Sequence, residues 1–280
     1  MNEQNYLKNT SPFDFNTFKY EERSLRGVNG KAFVEFNHHI SCEEIRALED
    51  SVNLGLAKCK KFESGFILGE VIPEQKDLFP GPLEGEVLLD INEYDPTGYH
   101  QNIMKTLDRQ ERRRYLYFAL GVVPPWYGTV YLRRNNFHTK TEHNKSISEW
   151  EDEAKHFPEL VQFVEGLKGK VFSEIGRVMF FITYPNTPVV THRDDIDVRH
   201  KDHFINIYFK GPRKTFIWDS LKKEKTYLKS GVTAFFFNDR DYHGIDAEPS
   251  FNYTLRIDGV FAQSIQDELG LINGFVWQLS

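Results

Sequence analysis

Hydrophobic and polar positions change their rhythm near residue 171. Before it, apolar residues recur at helical spacing in separated blocks. The segment opening at Ser41-Cys42-Glu43-Glu44 has a hydroxyl N-cap with Glu three residues on, a capping box, and predicts a helix to about Lys60. A second helical block runs from Asn102 to Leu120, bounded by Gly121 and stopped by Pro124-Pro125. A third, Ser148 to about Leu167, again opens with Ser-x-x-Glu. Between them KAFVEF (31–36) and GTVYLR (128–133) alternate as strands, and 64–100, rich in Gly, Pro and Asp, suits loops with short strands.

After residue 171 the runs become short and β-type: RVMFFITY (177–184), FINIYF (204–209), TFIW (215–218), VTAFFF (232–237) and YTLRIDGVF (253–261). Turn residues separate them at sandwich-like intervals rather than with the helices of βαβ units. The expected fold is mainly β with added helices (α+β), with a double-stranded β-helix (jelly-roll, cupin-like) core. The expected organisation is a polar, loosely packed arm over 1–30, a mixed helical and β segment over 31–170, the jelly-roll core over 171–262 and an extension over 263–280. All pack as one compact domain. The 15% aromatic content fits a core of bulky flat side chains.

The net charge of −6 changes the picture by exclusion, because a nucleic-acid or polybasic membrane surface needs excess Lys and Arg. No apolar run approaches a bilayer span, and the polar start lacks a signal-peptide core. Two cysteines, Cys42 and Cys59, make neither a disulfide scaffold nor a zinc ribbon. A cytoplasmic protein acting on a small molecule is expected, with no nucleic-acid or membrane partner.

Candidate chemistry concentrates in THRDDIDVRHKDH (191–203), which holds His-x-Asp twice. His192-Arg193-Asp194 follows a strand and a Pro-containing turn, at the mouth of a sheet. His243 ends VTAFFFNDRDYH about fifty residues on, and the short strands between can return the chain beside His192. Two imidazoles and a carboxylate on one face, with the opposite positions open, suit Fe(II) oxygen chemistry. Arg256, thirteen residues beyond His243, lies in a strand, and Arg holds a carboxylate by a two-pronged hydrogen bond. Alternation alone leaves open whether Arg256 or its neighbours Leu255 and Ile257 face the barrel interior.

This order, His192-x-Asp194, His243 and Arg256, resembles the iron(II)- and 2-oxoglutarate-dependent oxygenases. NDRDYHGIDAEPSFNYTLRIDGVF looks most like their aspartyl/asparaginyl β-hydroxylase and bacterial proline-hydroxylase branches. The resemblance covers roughly residues 171–262. It implies Fe(II) on His192, Asp194 and His243, and 2-oxoglutarate on Arg256. With dioxygen, the cosubstrate would yield succinate and carbon dioxide as a C–H bond is hydroxylated. Asp194 favours hydroxylation, since the related halogenases lack that carboxylate. The family's motif follows a strand, as His192 does, whereas His200-Lys201-Asp202 precedes one.

The resemblance also implies that His200 and His203 fall where the related β-hydroxylases carry basic residues that contact cosubstrate or substrate carboxylates, although the alternation of His203 with Ile205 and Ile207 allows an outward position. Asn206 is a candidate polar lining group. Arg193, Arg199, Tyr184 and Trp218 are candidate substrate contacts, for an amino acid or an amino-acid-derived or peptidyl substrate. Arg133 and Arg134, like Arg193 and Arg199, could engage a substrate carboxylate, with a solvated charged face as the first reading of each, and Arg112-Arg113-Arg114 is read as an exposed, ion-paired helix face. The competing functions are a cupin-type metalloenzyme without 2-oxoglutarate and a non-catalytic jelly-roll binding module.

Overall fold

Two antiparallel sheets of unequal size, with helices on the larger, make up the described chain. The computed structural model describes residues 24–59, 61–64, 67–70, 95, 97–120, 128–134, 149–183, 188–193, 203–210, 213–249 and 252–271. The strands are β1 (Val34–Glu35), β2 (Lys61–Ser64), β3 (Ile67–Glu70), β4 (Gly128–Arg134), β5 (Glu149–Trp150), β6 (Phe172–Thr183) and β7 (Val189–His192). They continue with β8 (His203–Tyr208), β9 (Thr215–Asp219), β10 (Glu224–Tyr227), β11 (Ala234–Phe236), β12 (Tyr242–Ile245) and β13 (Asn252–Phe261). The helices are α1 (Cys42–Lys58), α2 (Tyr99–Met104), α3 (Arg109–Leu120), α4 (Pro158–Gly166) and α5 (Gln263–Leu269), with a 3₁₀ turn at Asp152–His156. None of them is long and apolar enough to cross a membrane.

The large sheet has the order β1-β11-β8-β13-β6-β4-β2-β3, with β5 added beside β4, and the small sheet has β10-β9-β12-β7. From β6 onward the chain alternates between them, returning to the large sheet at β8, β11 and β13.

Strand β13 shows why both faces of the large sheet are buried. Tyr253, Leu255 and Ile257 turn to the helical side, where Tyr253 donates to Asn53 Oδ1 of α1 at 2.6 Å. Thr254, Arg256 and Asp258 alternate to the other face, toward the small sheet. The helical layer closes on the large sheet, where Ile45, Leu48, Val52 and Leu56 of α1 and Leu160 and Val164 of α4 join Phe180, Ile207 and Leu255 in one cluster, while a second, smaller cluster of Ala57, Met104, Leu107, Tyr115, Leu116 and Ala119 holds α2 and α3 to the end of α1. Gly55 lets α1 come close, because a Cβ there would lie 2.4 Å from the Phe157 ring.

Ser41 caps α1 as the sequence predicts, accepting from Glu44 N while Glu44 answers to Ser41 N at 2.9 Å. The other two helical blocks differ. The block at 102–120 is two helices, broken where Asp108 and Glu111 form a new cap: Glu111 N donates to Asp108 Oδ1 at 2.8 Å and Asp108 N to Glu111 Oε2 at 3.0 Å. The block at 148–167 begins as strand β5, since Trp150 pairs with Arg133, and its helix starts only at Pro158. Proline favours the first helical position, where its missing N–H costs nothing. Ser148 lies outside the described residues.

The reading of Arg112-Arg113-Arg114 as an exposed face is also corrected. Arg114 is buried and its Nε donates to Ala57 O near the end of α1, satisfying a carbonyl that the helix leaves open. The N-terminal arm is not loose where it is described. Leu25 N donates to Asp219 Oδ2 at 3.2 Å, and Arg26 N and Gly27 N donate to the two oxygens of Asp241 at 3.0 and 2.6 Å.

Candidate metal centre between the two sheets

His192 and His243 face each other directly across the β7–β12 ladder, with ring centroids 4.3 Å apart. The ladder carries an irregularity beside them. His243 pairs with His192, but Ile245 pairs with Val189, so β7 has one more residue than β12 over this stretch. Such a bulge re-aims side chains and is common next to functional sites. Gly244 allows the close fit of β12 between its neighbours, since a Cβ there would lie 2.7 Å from Phe216 Cζ and 2.9 Å from Val189 O.

His243 is buried, and its Nδ1 lies 2.9 Å from the backbone oxygen of Asp241. In the tautomer with a proton on Nδ1, that nitrogen donates to the carbonyl and Nε2 presents a lone pair. Metal-binding imidazoles are oriented in this way. Asp241 is itself held by the backbone of Arg26 and Gly27. The N-terminal arm therefore braces the loop that aims His243.

The second part of the site lies across the interior on the large sheet. Three ring contacts lead there: His243 to Phe237 at 4.9 Å, Phe237 to Phe204 at 5.0 Å, and Phe204 to the Arg256 guanidinium at 3.9 Å. Arg256 thus turns inward, toward the sheet that carries the histidines. Its Nε donates to Asp258 Oδ1 at 2.6 Å, Arg177 Nε donates to Asp258 Oδ2 at 2.7 Å, and Asp239 stands 3.8 Å from Arg256 Nη2. Burial by itself would raise the pKa of Asp258. The charges of Arg256 and Arg177, and the hydrogen bonds from both, outweigh it and hold the carboxyl below its usual value.

Thr254 shares the face of Arg256, two residues earlier on β13. Its Oγ1 is buried, and no described group forms a hydrogen bond with it. A buried hydroxyl without a partner costs about 1–3 kcal/mol, so this atom is a natural place for a ligand oxygen. Tyr208, which pairs with Thr254, hydrogen-bonds to Thr215 and links the two sheets. Its burial pushes the phenol up to about 12.

The other sequence candidates fall in different places. Asn206 pairs directly with Arg256 and shares its face. His203 turns the other way, into the aromatic core: it stacks on Phe261 at 4.5 Å and 2°, and its Nδ1 accepts from Phe261 N at 3.0 Å. Its alternation with Ile205 and Ile207 does set its face, but that face is core, where the rings of Phe261 and Phe236 pack against it. Trp218 pairs with Tyr242 and Lys225, on the opposite face of β9 from Ile217 and His243. Arg193 lies 5.9 Å over the Tyr242 ring on that same outer side. Arg133 and Arg134 pair with Glu165 at 2.8 Å and Glu151 at 3.2 Å. Asp194, Arg199, His200 and Tyr184 lie outside the described residues. Asp258, Arg177 and Thr254 were missed. The spacing Thr254-x-Arg256-x-Asp258, polar at every second position of an apolar strand, announces Thr254 and Asp258 but not Arg177.

No family model matches the chain, and no curated protein matches its sequence. Solved structures resemble parts of it. EvdMO1 matches at 18% identity over 42% of this chain and 36% of its own, with a TM-score of 0.27. The chain thus spans little more than a third of that protein. A viral collagen prolyl hydroxylase from Paramecium Bursaria Chlorella virus-1, solved as a 2OG complex, matches at 15% identity over 48% of this chain and 80% of its own, with a TM-score of 0.29. A Pseudomonas putida prolyl-4-hydroxylase matches at 10% identity over 57% of this chain and 85% of its own, with a TM-score of 0.30.

Proposed function

We propose that the chain is an Fe(II)- and 2-oxoglutarate-dependent oxygenase on a double-stranded β-helix core. Its reaction is hydroxylation of an unactivated C–H bond in an amino acid or an amino-acid-derived or peptidyl substrate. The observation that carries the proposal is the shared interior: paired His192 and His243 on one sheet, and on the other Arg256 beside a Thr254 hydroxyl that has no partner among the described residues.

The donor set suits the group. His192, His243 and Asp194 would hold the iron, two imidazoles and a carboxylate being the set that leaves positions open for a cosubstrate and dioxygen. When bound, iron and 2-oxoglutarate supply the activation of dioxygen, with succinate and carbon dioxide as products beside the hydroxylated substrate. The chain's own share is placement. The Asp241 carbonyl orients His243, and Asp258 holds Arg256 against Phe204. Arg256 would bind the distal carboxylate of the cosubstrate, and Thr254 Oγ1 would donate to the same carboxylate. The buried rings of Phe204 and Phe237 stand between His243 and Arg256.

Anaerobic titration of the protein with Fe(II) and 2-oxoglutarate tests the reading. The weak visible charge-transfer absorption of the chelate should appear in the wild type, and succinate should form on admission of air. His192→Ala should abolish both. Folded wild-type protein with neither signal would refute the proposal. Metal binding that ignores 2-oxoglutarate would point to a cupin-type enzyme, and no metal binding to a binding module.

A further inference from the structure

The turn after β1 meets the last turn of α5 at three side chains outside the interior site. Nε2 of His38 lies 3.0 Å from Oε1 of Glu268, and Nε2 of His39 lies 3.0 Å from its Oε2. One candidate ligand atom from each residue lies within 4.8 Å of the other two. The imidazole rings are 3.9 Å apart, so their nitrogens can share one small ion.

The backbone on each side is fixed before any ligand arrives. Asn37 Oδ1 accepts from Thr233 N and Ala234 N, both at 3.1 Å, and Asn37 Nδ2 donates to Gly231 O at 3.0 Å. The amides of His39 and Ile40 both close on Phe36 O at 2.9 Å. On the other side Ile265 and Leu269 are buried, and Gln266 Nε2 donates to Phe261 O at 2.7 Å. Three donors on rigid supports form a preorganised set rather than a chance meeting of flexible chains.

The charge pattern of α5 points the same way. Asp267 and Glu268 stand in its last turn, which contains no basic residue. Acids at the negative end of a helix are unfavourable, and a cation there offsets the cost. Two imidazole nitrogens and a carboxylate are donors for Zn(II), with Ni(II) and Cu(II) as competitors, and water completes a tetrahedron. Bonds of about 2.0 Å give tetrahedral edges of about 3.3 Å. The two 3.0 Å separations run to different oxygens of Glu268, so the carboxylate either binds through both oxygens or turns to offer one of them, starting from donor atoms within 4.8 Å of one another.

We propose that His38, His39 and Glu268 form a binding site for a divalent transition metal, Zn(II) by preference, that clips the β1 turn to α5. The site is separate from the interior histidines and independent of the proposed oxygenase activity.

The test is Zn(II) titration of tag-free, chelator-treated full-length protein against a chromophoric competitor, followed by Co(II) absorption spectra. The His192→Ala/His243→Ala variant should retain a Zn(II) equivalent. Adding His38→Gln and His39→Gln should weaken it by at least about tenfold, as should Glu268→Gln. These residues are partly exposed, so the substitutions leave the fold intact by circular dichroism. In the wild-type background the same two Gln substitutions should lower the Zn(II) stoichiometry by one equivalent, which keeps the test valid if the interior variant fails to fold. Affinity and stoichiometry unchanged by His38→Gln/His39→Gln would overturn the proposal.

Discussion

The Nε of Arg256 lies 2.6 Å from Oδ1 of Asp258, two residues further along the same strand. The other oxygen of that carboxylate accepts from Arg177. One buried acid therefore fixes two guanidinium groups, one of them the residue proposed to bind the cosubstrate.

Asp258→Asn should be destabilising, because it takes the shared buried counter-charge from two part-exposed guanidinium groups. A loss of about 3 kcal/mol is expected, measured by urea unfolding. The pH dependence follows from the lowered pKa of Asp258. A carboxyl with a depressed folded-state pKa adds stability that is present above its unfolded value, near 3.9, and is lost as pH falls through the folded value. The gap between wild type and Asp258→Asn should therefore be flat from about pH 5 to 8 and narrow below about pH 4. A gap that widens in acid would contradict the pairing.

Thr254→Val separates a ligand-binding hydroxyl from a structural one. It removes a buried oxygen without a described partner and keeps the side chain's shape. Thermal unfolding should show a gain of about 1 kcal/mol, while the apparent affinity for 2-oxoglutarate falls by about tenfold. Lower stability with unchanged affinity would mean that the hydroxyl serves the fold.

His243→Ala removes one proposed ligand, and its partner His192 remains in register across the ladder. Fe(II) affinity, read by competition with a chelator, should fall well beyond the 10–100-fold typical of losing a supporting hydrogen bond. Unchanged iron binding would remove His243 from the site.

Gly244→Ala tests the tight seat of β12. The added methyl would meet Phe216 Cζ at 2.7 Å and Val189 O at 2.9 Å, and the second of these is backbone that cannot rotate away. A loss of about 1–3 kcal/mol is expected. The β7–β12 ladder should loosen with it, so iron binding should weaken although no ligand has changed.

By itself, the sequence determined what is decided within a few residues. The Ser41–Glu44 cap, the strand character of 253–261 and the two-residue spacing of Thr254, Arg256 and Asp258 follow from local hydrogen bonding and side-chain alternation. Strand β10 escaped the hydrophobic pattern because all four of its residues are exposed. Alternation placed His203 with Ile205 and Ile207 but could not name the face, since the large sheet is buried on both sides. Only the tertiary structure decided that the helical layer covers His203 while the small sheet covers Arg256. Only it set His192 against His243, gave Arg114 a helix end to cap, and brought His38 and His39 to Glu268 across some 230 residues. The physical reason is range. A turn or a strand's periodicity is fixed by neighbouring dihedrals and donors, whereas the partner across a ladder and the layer over a face are chosen by which distant surfaces bury each other best.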